Sequence, residues 1–264
     1  MTVDRSALWI PLLQRVTREF PRWAVWKNVE SALSGHGDVD SFAPPEDWPA
    51  IARTWRAWAR ESGLGPAIVC RHVPQGPHFV ALEPGSPWLV QFDVKMLATF
   101  RGFGLMDVPE LLELAEMDER GFRRIRPGAE GVLKLVYNGM RPGGRKDEAG
   151  LEAKRVVELL RSDPEGVRRG AELFGPARGA VQRAVDAVVA GNWSRSSLVA
   201  VEAWSLVRSL AEPQTSLGRL WFGQVTKKRC PILQVIRERD RRLPGDVDAW
   251  LEAVRRAPGH TVLP

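Results

Sequence analysis

The spacing of proline and glycine changes part-way along the chain, and this change constrains the possible folds more than any other sequence feature. Before residue 105, short apolar segments alternate with turns that contain these two residues, whereas later apolar positions recur at helical spacing. We therefore expect an α/β domain over residues 1–104 and a helical domain over residues 105–264, joined at Arg101-Gly102-Phe103-Gly104. Together they predict the α+β class.

Helical and strand patterns alternate in the first part. Apolar residues at spacing four predict an opening helix over residues 6–19, and Pro21 follows it. A second helix is expected after Asp47, with Trp48 and Trp55 on its buried stripe. Strands are predicted over residues 38–43, 67–73, 78–82 and 88–95, the middle two forming a hairpin. These elements predict an antiparallel or mixed sheet with flanking helices.

The second part is expected to be nearly all helix. Asp107 is a good N-cap residue, because Glu110 stands three positions on and completes a capping box. Further helical periods cover residues 129–140, 151–160, 177–188, 198–210, 232–236 and 247–254. Such a run of amphipathic segments predicts a helical bundle.

Charge and composition limit the possible binding partners of the protein and its cellular compartment. The net charge of +6 fits a nucleic-acid partner, a polyphosphate substrate or simply an arginine-rich surface. Cys70 and Cys230 have no Cys-x-x-Cys context, so neither a disulfide framework nor a zinc site is expected, and a reducing cytoplasm fits best. No segment approaches the roughly 20 apolar residues that cross a bilayer, and the N-terminus lacks a signal-peptide pattern. We therefore expect a cytoplasmic protein without membrane contact.

The segment most suited to chemistry is a glycine turn, residues 34–37, followed at once by the Asp-x-Asp pair Asp38 and Asp40. Residues two apart on a strand point to the same face, so the two carboxylates project together. Adjacent carboxylates repel each other unless a counter-charge lies near, and Mg²⁺ supplies that charge through oxygen ligands. If the strand that contains Asp93 lies beside them, the three aspartates form a site for one or two metal ions. The alternative is a set of solvated turn and edge-strand aspartates.

A glycine turn, an Asp-x-Asp strand and a single Asp on a later strand resemble the nucleotidyltransferase superfamily, in particular its antibiotic-type and related small-molecule members. The resemblance covers about residues 20–100, and the second part is similar to the family's helical partner domains in architecture only. It implies that Asp38 and Asp40 bind the metal ions that hold an NTP triphosphate. It also implies that Asp93 completes the second metal site or helps to deprotonate the acceptor hydroxyl. The phosphates would lie along Ser34, Gly35 and Gly37. The family usually has Gly-Ser and then a longer interval before its Asp-x-Asp pair than is found here.

Further candidates lie near these residues in the sequence. Lys27 and Lys95 could reach a phosphate, or could be surface charges. Trp26 and Trp88 are candidates for stacking on a base. His36, in the glycine turn, is interpreted as an exposed residue, with contact to phosphate or the acceptor as its alternative. His72 and His78 are interpreted as surface residues.

The leading hypothesis is an Mg²⁺-dependent nucleotidyltransferase, an enzyme that moves a nucleoside monophosphate from ATP or another NTP to an acceptor and releases pyrophosphate. The acceptor is expected to be a small molecule, because no RNA-binding module is recognisable. A basic loop, residues 141–146, could close over the triphosphate or bind an anionic acceptor. Two alternatives stay open: a catalytically silent nucleotide- or RNA-binding regulatory module, and a nucleotidyltransferase that acts on tRNA or protein. The oligomeric state is left open.

Overall fold

The structure is a computed structural model and describes residues 4–73, 75–83, 89–100, 103–144, 150–193, 195–211, 213, 217 and 260–263. The chain forms two compact units, neither of which is one continuous stretch of sequence. The first unit comprises Met1–Met96, Asp118–Arg123 and Leu217–Pro264, and the second comprises Leu97–Met117 and Arg124–Ser216. The boundary at residue 104 stays a prediction about separately folding domains.

Strands and helices alternate through the first hundred residues, as the sequence predicts. The strands are β1 (Ala24–Lys27), β2 (Val39–Phe42), β3 (Ala67–Val73), β4 (Gly76–Leu82), β5 (Leu89–Lys95), β6 (Leu97–Phe100), β7 (Phe103–Asp107), β8 (Ala115–Met117), β9 (Arg123–Ile125) and β10 (His260–Leu263). The α-helices are α1 (Ser6–Glu19), α2 (Val29–Leu33), α3 (Trp48–Glu61), α4 (Val108–Leu112), α5 (Pro127–Tyr137), α6 (Leu151–Ser162), α7 (Pro164–Glu172), α8 (Arg178–Val189) and α9 (Ser196–Ala211).

Six strands of the first unit lie side by side in the order β10-β3-β4-β5-β2-β1. β2 and β5 run parallel, while the other neighbouring pairs among these six are antiparallel. The α+β class and the mixed sheet with flanking helices are therefore confirmed. The parallel pair is the one that contains the predicted aspartates, since β2 begins immediately after Asp38 and β5 includes Asp93.

A cluster of aromatic rings joins α1 and α3 to one face of this sheet. Trp55 of α3 is fully buried and stacks on Phe92 of β5, with ring centroids 5.7 Å apart and planes at 9°. Its ring centroid also lies 6.5 Å from Trp9, 4.8 Å from Trp58 and 6.1 Å from Phe79 of β4. Aromatic pairs at such distances stabilise a fold beyond the area that they bury. The cluster fixes which face of β4 and β5 is turned toward the helices, and hence which side chains point the other way.

In the second unit, α5 packs closely against α6 and α7 at two glycines. A Cβ atom at Gly128 would collide with the backbone of Asp163 and Val167, at the start of α7. A Cβ atom at Gly131 would lie 3.0 Å from the side chain of Leu160 on α6. Only glycine permits so close an approach of backbone to a neighbouring element.

The prediction that the second part is nearly all helix is wrong between residues 105 and 125. The predicted capping box at Asp107 is present, but it opens only the five-residue helix α4. Gly121, with φ of 83°, then forms a turn between β8 and β9. A residue in the left-handed conformation cannot continue a right-handed helix. The chain therefore forms a turn at Gly121 although its apolar residues recur at helical spacing. Helix α7 was not expected, although Asp163 caps it and Pro164 occupies its first turn.

Four of the predicted helices in the second part are present, as α5, α6, α8 and α9. The helices predicted over residues 232–236 and 247–254 lie outside the described residues. Within the described part of the chain, every helix is too short or too polar to traverse a lipid bilayer.

The aromatic cluster yields a stability prediction. Trp55→Ala should lower the free energy of unfolding by about 3–5 kcal/mol, because the substitution leaves a cavity among closely packed rings. Trp193→Ala is the matched control, since that side chain is 41% exposed and should cost no more than about 0.5 kcal/mol. Urea unfolding followed by far-UV circular dichroism measures both changes. Equal losses in the two variants would contradict the placement of the core.

Candidate metal centre

Three carboxylates meet where β2 and β5 run side by side. The parallel register places Asp40 opposite Asp93, and Asp38 stands one residue before β2 begins. One carboxylate oxygen from each aspartate lies within 4.8 Å of the other two. The structure thus brings together the three residues that the sequence singled out.

Strand alternation explains why these carboxylates share a face. Val39 and Phe92 are fully buried in the core beneath the helices, so the next residues, Asp40 and Asp93, point to the opposite face of the sheet. Both aspartates are nevertheless almost fully buried, with 2% and 3% of their surface exposed. Burying two like charges side by side is unfavourable unless cations or hydrogen-bond donors surround them.

Two lysines bring positive charge to Asp40. Lys95 Nζ lies 2.8 Å from Asp40 Oδ1, and Lys27 Nζ lies 3.3 Å from Asp40 Oδ2. The side-chain amide of Asn28 also donates to Asp40 Oδ2, at 3.0 Å. Lys95 Nζ lies 3.8 Å from Asp93 Oδ2 as well. Both lysines proposed as phosphate ligands therefore contact the aspartate cluster itself, and their binding to a phosphate stays a prediction.

Gln91 and His78 also contact the cluster, and sequence reasoning missed both as site residues. Gln91 Nε2 donates to Asp93 Oδ1 at 2.9 Å and to Asp38 Oδ2 at 3.3 Å. His78 Nδ1 lies 2.7 Å from Asp93 Oδ1, because the antiparallel register of β4 and β5 places the two residues opposite each other. The prediction of a surface His78 is wrong, since its side chain is only 12% exposed. The buried neighbour Phe79 was the available signal, because it turns His78 to the other face.

The surroundings push the pKa values of Asp38 and Asp40 apart. Burial, together with the negative charges of Asp40 and Asp93, raises the pKa of Asp38 to about 6. Burial also acts to raise the pKa of Asp40, but the charges of Lys27 and Lys95 outweigh it and lower that pKa to about 2. Of these two carboxylates, Asp38 is the one whose charged form gains more from an additional cation.

The glycine turn connects α2 to β2. Gly35 and Gly37 each have φ of 82°, in the left-handed region that glycine adopts readily. The space around a Cβ position at Gly37 is open, so a ligand could approach the backbone there. Ser34 Oγ donates to the carbonyl of Ser31 at 3.0 Å, and the exposed His36 places Nδ1 2.9 Å from the carbonyl of Ser34. Phosphate contacts by this turn stay a prediction.

Trp26, one of the two tryptophans suggested for base stacking, lies beside the cluster. Its ring centroid is 5.0 Å from Lys27 Nζ and 5.4 Å from Lys95 Nζ, which is a cation–π arrangement. Only 2% of Trp26 is exposed. The ring therefore positions the two lysines and has no open face for a base. Outside the described residues lie Trp88, the side chain of His72, and residues 145–146 of the basic loop.

Comparisons with known proteins give no family for this chain. No family model, curated protein or solved structure matches it. The interpretation of the site therefore depends on the geometry and chemistry of its own residues.

Replacing Asp38 by Asn should stabilise the protein at neutral pH when divalent cations are absent. The pKa of Asp38 is about 6 in the folded state, against roughly 3.9 for an unperturbed aspartate. The folded state therefore binds more protons between these two pH values, and the wild type loses stability as pH rises through that window. Asp38→Asn should be more stable than the wild type by roughly 1–3 kcal/mol at pH 7.5 and nearly equal at pH 4.

Urea unfolding in EDTA at the two pH values measures this difference. The matched control is Asp186→Asn, an exposed aspartate on α8, which should leave stability unchanged at both. An Asp38→Asn variant that is less stable than the wild type at pH 7.5 would show that the Asp38 carboxylate is not under electrostatic strain.

Proposed function

We propose that the chain is a magnesium-dependent nucleotidyltransferase, which transfers a nucleoside monophosphate from ATP or another NTP to a small-molecule acceptor and releases pyrophosphate. The observation that carries the proposal is the convergence of Asp38, Asp40 and Asp93 on the parallel pair β2 and β5. The resemblance of the Asp-x-Asp strand to the nucleotidyltransferase superfamily supplies the reaction type. A cytoplasmic location and a helical bundle in the second part belong to the same proposal.

The donor set suits Mg²⁺. Aspartate carboxylates are the hard oxygen ligands that this ion prefers, and oxygens from Asp38, Asp40 and Asp93 lie within 4.8 Å of one another. Burial and, after it, the charges of Asp40 and Asp93 raise the pKa of Asp38, and a divalent cation would favour its charged form. These three residues would hold the ion, which would supply neutralising charge at the transferring phosphoryl group.

Other side chains of the cluster can orient a bound NTP and the carboxylate of Asp93, which would face the acceptor. Lys27 and Lys95 place two ammonium groups at the aspartates, where they would attract phosphate oxygens and offset charge that develops as the acceptor attacks. Gln91 Nε2 donates to Asp93 Oδ1 at 2.9 Å, and His78 Nδ1 lies 2.7 Å from the same oxygen. The hydrogen bond from Gln91 orients the carboxylate that would take the proton from the acceptor hydroxyl.

The end of β1, before α2, fits the family's spacing between Gly-Ser and Asp-x-Asp better than the glycine turn before β2 does. The family usually has Gly-Ser, then an interval of several residues before its Asp-x-Asp strand. Asn28 joins β1 to α2 with φ of 66°, and the whole of α2 separates it from Asp38. Since Asn28 also donates to Asp40, we infer that Lys27 and Asn28 stand where the family has Gly-Ser. Measured from there, the interval is no longer short.

The proposal predicts the activity of two aspartate variants. The protein with Mg²⁺, each α-labelled NTP and a pool of small-molecule acceptors should form labelled product and pyrophosphate. Asp38→Asn and Asp93→Asn should each lose about 100-fold or more in rate, because each removes a charge that would hold the ion at the transferring phosphoryl group. Asp186→Asn should retain full activity. Full activity in either cluster variant would exclude these aspartates from catalysis.

A second candidate is the catalytically silent nucleotide- or RNA-binding module of the same fold, and the two lysines favour it. Because Lys27 and Lys95 already neutralise Asp40, the cluster can persist in the folded protein without a cation. Buried charged side chains are found in proteins when they are paired in this way. The transferase requires that the cluster bind a divalent cation, whereas the silent module does not.

Lys95→Ala separates the two candidates. The variant leaves Asp40 and Asp93 with less compensating charge, so it should lose roughly 1–3 kcal/mol of stability in EDTA. If the cluster binds Mg²⁺, addition of 10 mM Mg²⁺ should restore the melting temperature, since a ligand that binds only the folded state stabilises it. Lys154→Ala, an exposed lysine on α6, should show neither the loss nor the recovery. A loss that Mg²⁺ does not reverse would favour the silent module.

A further inference from the structure

A cavity of about 300 Å³ lies within the second unit, at the C-terminal end of α5. Its lining includes Phe100, Tyr137 and Asn138, together with the arginines Arg141 and Arg195. We propose that this cavity is a binding site for a small phosphate monoester that contains a ring, separate in its residues from the aspartate cluster.

The wall of the cavity at α5 is held by hydrogen bonds. The backbone N–H of Thr99 donates to the hydroxyl of Tyr137 at 2.8 Å, which fixes the phenol at the cavity. The side-chain amide of Asn138 donates to the carbonyl of Pro142 at 2.9 Å. This bond ties the end of the helix to the loop that contains Arg141. A site whose side chains are already held in place loses less entropy when a ligand binds.

The described residues that line the cavity include two arginines and no acidic residue. Free carbonyls at the end of a helix would oppose an anion, but three of those on α5 accept backbone hydrogen bonds from Asn138, Gly139 and Met140. The two lining arginines can therefore attract an anion, and a guanidinium group pairs with two oxygens of a phosphate at once.

The size and the aromatic wall point to more than inorganic phosphate. A water molecule takes up roughly 30 Å³ in the liquid, so about 300 Å³ holds a group several times larger than a lone ion. Volumes of this order lie at the lower end of small-molecule sites, roughly 300–1,000 Å³. Tyr137 is half-buried and lines the same cavity beside the buried Phe100, and its phenol ring suits contact with a planar ring on the phosphate ester.

The proposal does not depend on the proposed transferase activity. The lining residues that the structure describes all belong to the second unit, whereas Asp38, Asp40 and Asp93 belong to the first. Binding should therefore persist in EDTA and in Asp38→Asn. Loss of nucleotidyl transfer in that variant with unchanged ligand binding would separate the two sites.

The test uses the full chain and four probes in EDTA: phenyl phosphate, inorganic phosphate, benzoate and phenol. Isothermal titration should give saturable one-to-one binding of phenyl phosphate, at least tenfold tighter than inorganic phosphate or benzoate, with no binding of phenol. Benzoate that binds as tightly as phenyl phosphate would overturn the assignment to phosphate esters. The absence of saturable binding of phenyl phosphate would overturn the site itself.

Two arginine variants and one control locate the binding. Arg141→Ala and Arg195→Ala should each weaken phenyl phosphate binding about tenfold, the usual loss when a charge-assisted hydrogen bond is removed. Arg178→Ala, an exposed arginine on α8, should leave affinity unchanged. An equal effect of all three substitutions would identify non-specific attraction to a basic surface and overturn the proposal.

A chemical readout on the unmodified protein covers the case in which Arg141→Ala fails to fold. Phenylglyoxal modifies accessible arginines, and peptide mass spectrometry measures the extent at each position. Phenyl phosphate should slow modification of Arg195 relative to Arg178 by at least threefold. A ligand that changes the two modification rates by the same factor, or changes neither, would place the ligand elsewhere on the protein.

Discussion

Asp40 and Asp93 lie opposite each other on two parallel strands with almost no exposure to water, and the candidate site depends on how this repulsion is balanced. Isolated carboxylates in such surroundings would take up protons. Lys27 and Lys95 prevent this at Asp40, where the pKa falls to about 2. Asp38 has no comparable compensation, and its pKa rises to about 6. The cluster therefore holds one well-neutralised carboxylate beside one that an added cation would stabilise.

The position of the cluster follows from packing on the other face of the sheet. Phe92 and Phe79 are held against Trp55 by ring contacts near 6 Å. Because side chains alternate along a strand, this packing turns Asp93 and His78 together toward the polar face. The aromatic core and the acidic cluster are thus two consequences of one strand register. A shift of one residue in that register would exchange the two faces.

Much of the local structure could be predicted, since it depends on near neighbours. Helix α1 has the predicted bounds, and Asp38 and Asp40 share a face as strand periodicity requires. The pairing of β2 with β5 was a condition of the prediction and not a result of it, because no local signal specifies which strands become neighbours. Lys27 and His78 reach the cluster from β1 and β4 through the same non-local pairing. That is why the contact of Lys27 with Asp40 was not predicted and His78 was assigned to the surface.

The central claim is that the three aspartates bind a divalent cation, and crystals soaked in Mn²⁺ test it most directly. Anomalous scattering should place one or two Mn²⁺ ions among the carboxylates of Asp38, Asp40 and Asp93, with the ammonium group of Lys95 displaced from Asp40 Oδ1. Divalent-cation binding is contradicted if no anomalous peak lies at the cluster and both lysines keep the contacts of 2.8 and 3.3 Å to Asp40. The cluster would then be an ion-pair network that needs no metal.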